Sequence, residues 1–137
     1  MFERGRLYWC QLPDDPKRRP VLVLSPDLRN ELASDIVVIP ANTVVRLGPW
    51  HVLLRTGEGG VPHASVLKCE QPATIRKSRL DPEPLGRRLG AARMSEVAAA
   101  ILKLYADETG RAVTPEQQED DLATFTAATG AGRGPRG

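Results

Sequence analysis

The stretch Lys17–Asp27, KRRPVLVLSPD, limits the fold of this chain more than any other. Three cations lead through a proline into four branched aliphatic residues, and a Ser-Pro-Asp sequence ends the run. Such a run predicts a short strand that is buried on both faces. Because Pro20 has no N–H group, we expect it at the first residue of this strand. Arg19 then immediately precedes the strand, where a guanidinium on a rigid base is suited to bind a phosphate.

Length and charge narrow the class of protein. A chain of 137 residues is long enough for one domain with its own core. No apolar run approaches the roughly 20 residues that cross a bilayer, which predicts a cytoplasmic protein without membrane contact. The net charge of +2 is uneven, because basic residues cluster at 17–19, 76–79 and 87–88. Basic clusters attract polyanions, although a solvated surface is the ordinary explanation of any single cluster.

Short apolar segments separated by turn residues predict a mainly β fold. The expected strands are 6–12, 20–24, 35–40, 50–55, 65–71 and a basic strand at 74–80, followed by a turn at Pro82 and Pro84 and an edge strand at 85–89. The glycine-rich segment 56–63 lacks the residues of a phosphate loop and is expected to connect two strands. These strands predict a small, strongly bent sheet or a partly open barrel.

One amphipathic helix is expected to follow the strands. It begins at residue 90 or 91, Gly110 is placed to end it, and its apolar face consists of Met94, Val97, Ile101, Leu104 and Tyr105. A stripe of this kind is typical of core or dimer packing. We therefore expect one domain over residues 1–110. The tail, 111–137, is expected to hold a short helix at 115–127 and then to be disordered.

The chain resembles the MazF/PemK family of toxin endoribonucleases. The blocks that carry the resemblance are RGRLYW at 4–9, RRPVLVLSPD at 18–27, VVIPANT at 37–43 followed by HVLL, SVLKCEQPATIRKSRL at 65–80, and LGRRLGAARMSEV at 85–97. The resemblance implies an α+β, mainly β fold, an SH3-like small barrel of five to seven strands with a C-terminal amphipathic helix, and a homodimer. It also implies the toxin of a type II toxin–antitoxin pair, which cleaves single-stranded RNA without metal or cofactor, inhibits translation and growth, and binds a cognate antitoxin.

The resemblance also assigns roles to individual residues. Arg19 falls on the catalytic arginine of the family, and Thr43 comes one residue after the position of the family's threonine, which Asn42 occupies. Arg19 and Thr43 are therefore the predicted catalytic residues. The predicted RNA-binding residues are Lys17, Arg18, Asn42, His51, Glu70 and Gln71. Of these, Glu70 and Gln71 match a Glu-Gln pair of the family. Arg6 stands where the family usually has an aspartate.

Cleavage of RNA needs few groups from the protein. RNA carries its own nucleophile, the 2′-hydroxyl, so an enzyme must orient it, move protons and stabilise the charge that develops on the phosphate. Arg19 could donate to the non-bridging oxygens, together with Thr43 or Asn42. The general base is open: Glu70 is a candidate, and His51 a weaker one.

The sequence allows two roles for the aromatic residues and two alternatives to a nuclease. Tyr8 and Trp50 either stack on RNA bases or pack in the core. The alternatives to a nuclease are a CcdB-like inhibitor that binds DNA gyrase without cleaving RNA, and an RNA-binding module without turnover.

Overall fold

The computed structural model describes residues 1–12, 14–43 and 47–105. The seven strands in these ranges are β1 Leu7–Gln11, β2 Arg18–Val23, β3 Asp35–Asn42, β4 His51–Leu54, β5 Ser65–Lys68, β6 Ala73–Arg76 and β7 Leu80–Pro84. The helices are α1 Asp27–Leu32 and α2 Ala91–Leu102, with 3-10 turns at Glu58–Gly60, Lys77–Arg79 and Lys103–Tyr105. No helix within the described ranges is long and apolar enough to span a membrane.

All strands pair antiparallel, in the order β4-β5-β3-β2-β1-β7. β3 is the centre of this arrangement, because its first half pairs with β6 and its last two residues pair with β5. The change of partner along β3 divides the sheet into two parts that share this strand. The mainly β fold with a C-terminal helix is confirmed.

Pro20 lies inside β2, not at its first residue as predicted. N–H groups along the strand point alternately to its two neighbours: Val23 donates toward β1 and Leu24 toward β3. Pro20 is an even number of residues from Leu24, so its backbone nitrogen also points toward β3. Pairing with β3 begins only at Val21. Its missing N–H therefore removes no bond from the ladder, which is why a proline is tolerated here.

The chain after β5 differs most from the prediction. β5 ends at Lys68, so Glu70 and Gln71 lie in the turn that follows it. The expected basic strand is divided into β6, a 3-10 turn and the start of β7. Pro82 and Pro84 lie within β7, and residues 85–89 form no strand. Both prolines are accommodated because, among the described residues, β7 pairs only with β1, through an irregular register.

The core lies on both faces of the sheet, and β2 contributes to each side. Leu22 packs in a cluster with Val97 and Ala100 of α2, whereas Val21 and Val23 pack with Tyr8 on the opposite face. The prediction of a strand buried on both faces is confirmed, and Tyr8 is a core residue at 1% exposure.

The helix packs through part of the expected stripe. Met94, Val97 and Ile101 contact the core, whereas Leu104 lies beyond the end of α2 and is 41% exposed. Gly110 and the tail that we expected over 111–137, with its helix at 115–127, lie outside the described residues.

Candidate functional site

Arg19 and Asn42 lie on the same face of the sheet. Val21 is opposite Pro40 in the β2–β3 ladder, and opposite residues of an antiparallel pair share a face. Arg19 precedes Val21 by two residues and Asn42 follows Pro40 by two, so both side chains return to that face. Their contact is direct: Arg19 Nη1 donates to Asn42 Oδ1 at 3.3 Å. The structure thus brings together two residues that are 23 positions apart.

The same face continues across β5 and β4. Asn42 is opposite Val66, and Val66 is opposite Leu53. His51 and Lys68 form the next pair of this face toward the start of β4. We call Arg19, Asn42, His51, Leu53, Val66 and Lys68 the site face. Leu53 is 46% exposed although it is apolar, so the site face offers water both charge and a hydrophobic surface.

Arg19 is held by an acidic residue of the β1–β2 loop. Its Nε–H donates to the Asp15 carboxylate, which also accepts the Lys17 N–H at 2.9 Å. The hydrogen bond from Arg19 is the main cause that lowers the pKa of Asp15. A guanidinium has five N–H groups, and only two of those of Arg19 have partners among the described residues. Three N–H groups therefore remain for an anion.

Lys17 and Arg18, the other two cations of the basic cluster, differ in which side of β2 they lie on. Arg18 points to the opposite face of β2, because side chains alternate along a strand, and pairs with Asp81 of β7. Lys17 is exposed and lies next to Arg19 at the loop end. Of the two predicted RNA-binding cations, Lys17 adjoins the site face and Arg18 does not.

Thr43 does not share the position of Asn42. It follows the last residue of β3, is exposed, and makes no hydrogen bond within the described parts of the chain. Asn42, by contrast, contacts Arg19 directly. Its place in the site agrees with the alignment of Asn42 to the threonine position, while the catalytic role of Thr43 stays a prediction.

His51 and Glu70 form a second cluster at the start of β4. His51 Nε2 lies 3.0 Å from Glu70 Oε2, and the Gly48 N–H donates to His51 Nδ1 at 2.9 Å. Because Nδ1 accepts, the proton of a neutral ring lies on Nε2 and is donated to Glu70. The ring therefore fixes the end of the β3–β4 loop to the turn after β5. Trp50, in that loop, is 38% exposed and stands edge-on to the ring of His51.

Glu70 and Gln71 are neighbours in sequence, but they make different contacts in the turn after β5. The Glu70 Oε1 atom is buried and has no hydrogen-bond partner among the described residues. The backbone of Gln71 closes the turn by donating to Lys68 at 2.9 Å. Arg6 lies away from these residues and bonds Glu3 and the Gly86 carbonyl.

Sequence reasoning missed Leu53 and Lys68 as members of the site face. The alternation of Val66 and Lys68 along β5 carried a signal for Lys68, but its partner across the sheet depends on the register with β4. Nothing in the segment HVLL indicates that Leu53 is exposed, since all three aliphatic residues look alike in sequence.

Comparison with known proteins identifies relatives of this chain. The sequence profile of the PemK-like, MazF-like toxins of type II toxin–antitoxin systems matches residues 3–105. A curated relative, the probable endoribonuclease MazF5 of Mycobacterium tuberculosis, is 30% identical over 98 residues, which cover 72% of this chain and 87% of the relative.

Solved structures agree with this match. The toxin MazF-mt6 of Mycobacterium tuberculosis is 28% identical, with a TM-score of 0.62 over 70% of this chain and 91% of the other. A mycobacterial endoribonuclease in complex with its cognate antitoxin is 25% identical, with a TM-score of 0.63 over 74% and 91% of the two chains. A MazE–MazF complex from Deinococcus radiodurans is 26% identical, with a TM-score of 0.63 over 75% and 93%. The expected small-barrel fold is confirmed.

Proposed function

The chain belongs to the PemK-like, MazF-like toxins of type II toxin–antitoxin systems, and on this premise we propose that it cleaves single-stranded RNA at short sequences and thereby inhibits translation. The observation that carries the proposal is the contact of Arg19 with Asn42 on the site face. It places a rigidly based guanidinium beside a side-chain amide. The similarity to a probable endoribonuclease and to an endoribonuclease bound to its antitoxin supports the same activity.

The reaction requires that the 2′-oxygen attack the adjacent phosphorus. The 2′-O–P bond forms, the P–O5′ bond breaks, and the proton that leaves the 2′-hydroxyl is balanced by one that reaches O5′. The products are a 2′,3′-cyclic phosphate and a 5′-hydroxyl. The unpaired N–H groups of Arg19 would donate to the non-bridging oxygens, whose charge rises in the transition state. Asn42, already oriented by Arg19, supplies the second contact, with Thr43 next to it.

The two candidate general bases differ in whether their side-chain atoms already have hydrogen-bond partners. His51 is engaged at both ring nitrogens, by Gly48 and by Glu70. Glu70 keeps Oε1 without a partner among the described residues, although this oxygen is buried and must become exposed before it can accept a proton from RNA. We therefore favour Glu70 as the base and give His51 the role of orienting it. Trp50 and Leu53 offer exposed surfaces on which bases can lie.

The proposal includes partners. A cognate antitoxin with an acidic segment would neutralise the toxin by covering the cations of the site face. The protein would act in the cytoplasm, where mRNA is available. A homodimer is consistent with the large exposure of Leu28 and Leu32 on α1, at 68% and 77%.

The test is cleavage of a long unstructured RNA by the purified protein in EDTA, with the 5′ ends mapped. We expect cuts at one short motif, ending in a cyclic phosphate, that disappear with Arg19→Ala and when the nucleotide before the cut carries a 2′-O-methyl group. Arg87→Ala is the matched control, because Arg87 is exposed and has no hydrogen bond or ion pair among the described residues.

Intact RNA with a folded wild-type protein would overturn the nuclease proposal. Inhibition of gyrase supercoiling would then favour the CcdB-like alternative, which the comparisons do not support. Binding of RNA without cuts would favour the module without turnover.

A further inference from the structure

The described part of the chain ends next to the edge strand β4. The family match ends at residue 105, and residues 106–137 follow it. Lys103 Nζ donates to the Pro49 carbonyl at 2.9 Å, which ties the end of α2 to the β3–β4 loop. That loop leads into His51, a member of the site face. α2 itself packs on the opposite face of the sheet, where Val97 lies in the cluster of Leu22 and Val52. To reach the site face, the segment that follows Tyr105 has to pass the edge strand β4.

The segment and the domain have opposite charges. Residues 1–105 carry 16 basic and 11 acidic residues, a net charge of +5, whereas residues 106–137 carry three basic and six acidic residues, a net charge of −3. Four of the six acids lie within one short run, Glu116–Asp121, with the sequence EQQEDD. An acidic run attached to a basic domain is attracted to its cations.

The geometry allows this acidic run to reach Arg19. Three strand spacings separate β4 from β2 across the sheet, a width of about 14 Å. The acidic run starts 11 residues after Tyr105, and 11 residues can span up to about 36 Å. A tether of this length also gives the run a high effective concentration at the site, on the order of millimolar.

The site face has cations available for carboxylates. Arg19 already binds the carboxylate of Asp15 and keeps N–H groups without partners among the described residues. The ammonium groups of Lys17 and Lys68 take part in no ion pair within the same ranges, whereas Arg88, at the opposite end of α2, is engaged by Glu3. The cations at the site face can therefore pair with carboxylates of the acidic run.

We propose that the acidic run of residues 116–121 docks on Lys17, Arg19 and Lys68 of its own chain and competes there with RNA. The competition with RNA rests on the proposed function, whereas the docking of the acidic run does not. It makes the C-terminal segment an internal acidic ligand of the site, whose removal by RNA or by another partner exposes the cations. Because the contact is electrostatic, salt weakens it.

The first test is zero-length carbodiimide cross-linking of the full chain, mapped by mass spectrometry. We expect intramolecular amide links from Lys17 or Lys68 to acids of the run, with yields that do not depend on protein concentration and that fall in high salt. Links to Lys77 or Lys103 in their place, or links formed only between two chains, would overturn the proposal.

The second test measures affinity for an RNA that is 2′-O-methylated throughout and so resists cleavage. Removing two of the four charges of the run with Asp120→Asn and Asp121→Asn should tighten binding about 3- to 10-fold at low salt. The matched control, Glu31→Gln with Glu83→Gln, changes the net charge equally at exposed acids and should tighten it much less.

The outcomes separate the two proposals. Equal gains in the run variant and in the control, without the expected cross-links, overturn the docking whether or not the protein cleaves RNA. Cross-links in a protein that neither binds nor cuts RNA support the docking and overturn the proposed nuclease. Cross-links together with the selective gain in affinity support both.

Discussion

Arg19 donates its Nε–H to the carboxylate of Asp15, four residues earlier in the β1–β2 loop. The guanidinium that we propose as the phosphate contact therefore already holds an anion in the free protein. RNA must compete with this carboxylate or bind through the remaining N–H groups. The loop that carries Asp15 thus takes part in setting how Arg19 is presented.

The Asp15 pKa reports this contact directly. It lies below the ordinary value of 3.8, chiefly because the Arg19 hydrogen bond stabilises the ionised carboxylate. We expect Arg19→Ala to raise the Asp15 pKa toward 3.8, as measured by NMR titration of the side-chain carboxyl carbon. Arg18→Ala is the control, since Arg18 pairs with Asp81. An equal shift in both variants would mean that general charge, and not this hydrogen bond, holds the pKa down.

Asn42 and Thr43 can be separated by mutation. Asn42 shares the face of Arg19 and bonds it at 3.3 Å, whereas Thr43 is exposed beyond the end of β3. Loss of one preorganised contact to a transition-state anion lowers kcat about 100-fold, and we expect an effect of this order from Asn42→Ala. Thr43→Ala should lower kcat much less. Single-turnover cleavage of one RNA by both variants decides the matter, and the reverse order would assign the second contact to Thr43.

The elements that sequence predicted best have strong local patterns. The aliphatic run around Val21 and the stripe around Val97 specify a buried strand and an amphipathic helix by themselves. Pro20 was misplaced because its tolerance depends on where the β2–β3 ladder begins, which is a property of two strands. The prolines of β7 misled for the same reason, since an edge position is decided by the order of the strands.

The site was predictable to the extent that it follows the family pattern. Arg19 was found because it stands immediately before a proline in a block of the right spacing. A hairpin between β1 and β2 predicts that Asp15 lies near Arg19, and this contact is confirmed. The contact of Arg19 with Asn42 and the partners of His51 could not be found in this way, because they are set by cross-strand register and by loop geometry. Gly48 lies in a loop, where the sequence constrains the backbone only weakly.

The His51 side chain should hold the β3–β4 loop in place. His51→Ala removes the acceptor of the Gly48 N–H and the donor to Glu70. A lost hydrogen bond of about 1–2 kcal/mol should speed amide exchange at Gly48 roughly 10-fold. We also expect a higher KM for RNA. His63→Ala is the control, because the exposed His63 side chain makes no hydrogen bond among the described residues. Unchanged Gly48 exchange in His51→Ala would show that other contacts fix the loop.

Glu58 and Arg93 tie the 3-10 turn after β4 to α2, and this contact should make stability depend on pH. Arg93 donates to both carboxylate oxygens of Glu58, at 2.6 and 2.9 Å, and this contact lowers the pKa of Glu58 below its ordinary 4.5. The side chains are 22% and 24% exposed, so we expect Glu58→Gln to reduce the free energy of unfolding at pH 7 by about 1–2 kcal/mol.

The sign of the pH effect follows from the lowered pKa of Glu58. The folded state holds its proton more weakly than the unfolded state, so the stabilisation is complete above pH 4.5 and is lost as the pH falls through the folded-state pKa. Urea unfolding should therefore show the wild type and Glu58→Gln converging as the pH is lowered to about 2. Glu83→Gln, at an exposed carboxylate without an ion pair in the described ranges, should show no such convergence. A constant gap between the wild type and Glu58→Gln at every pH would mean that the substitution acts through packing, and not through the charge of Glu58.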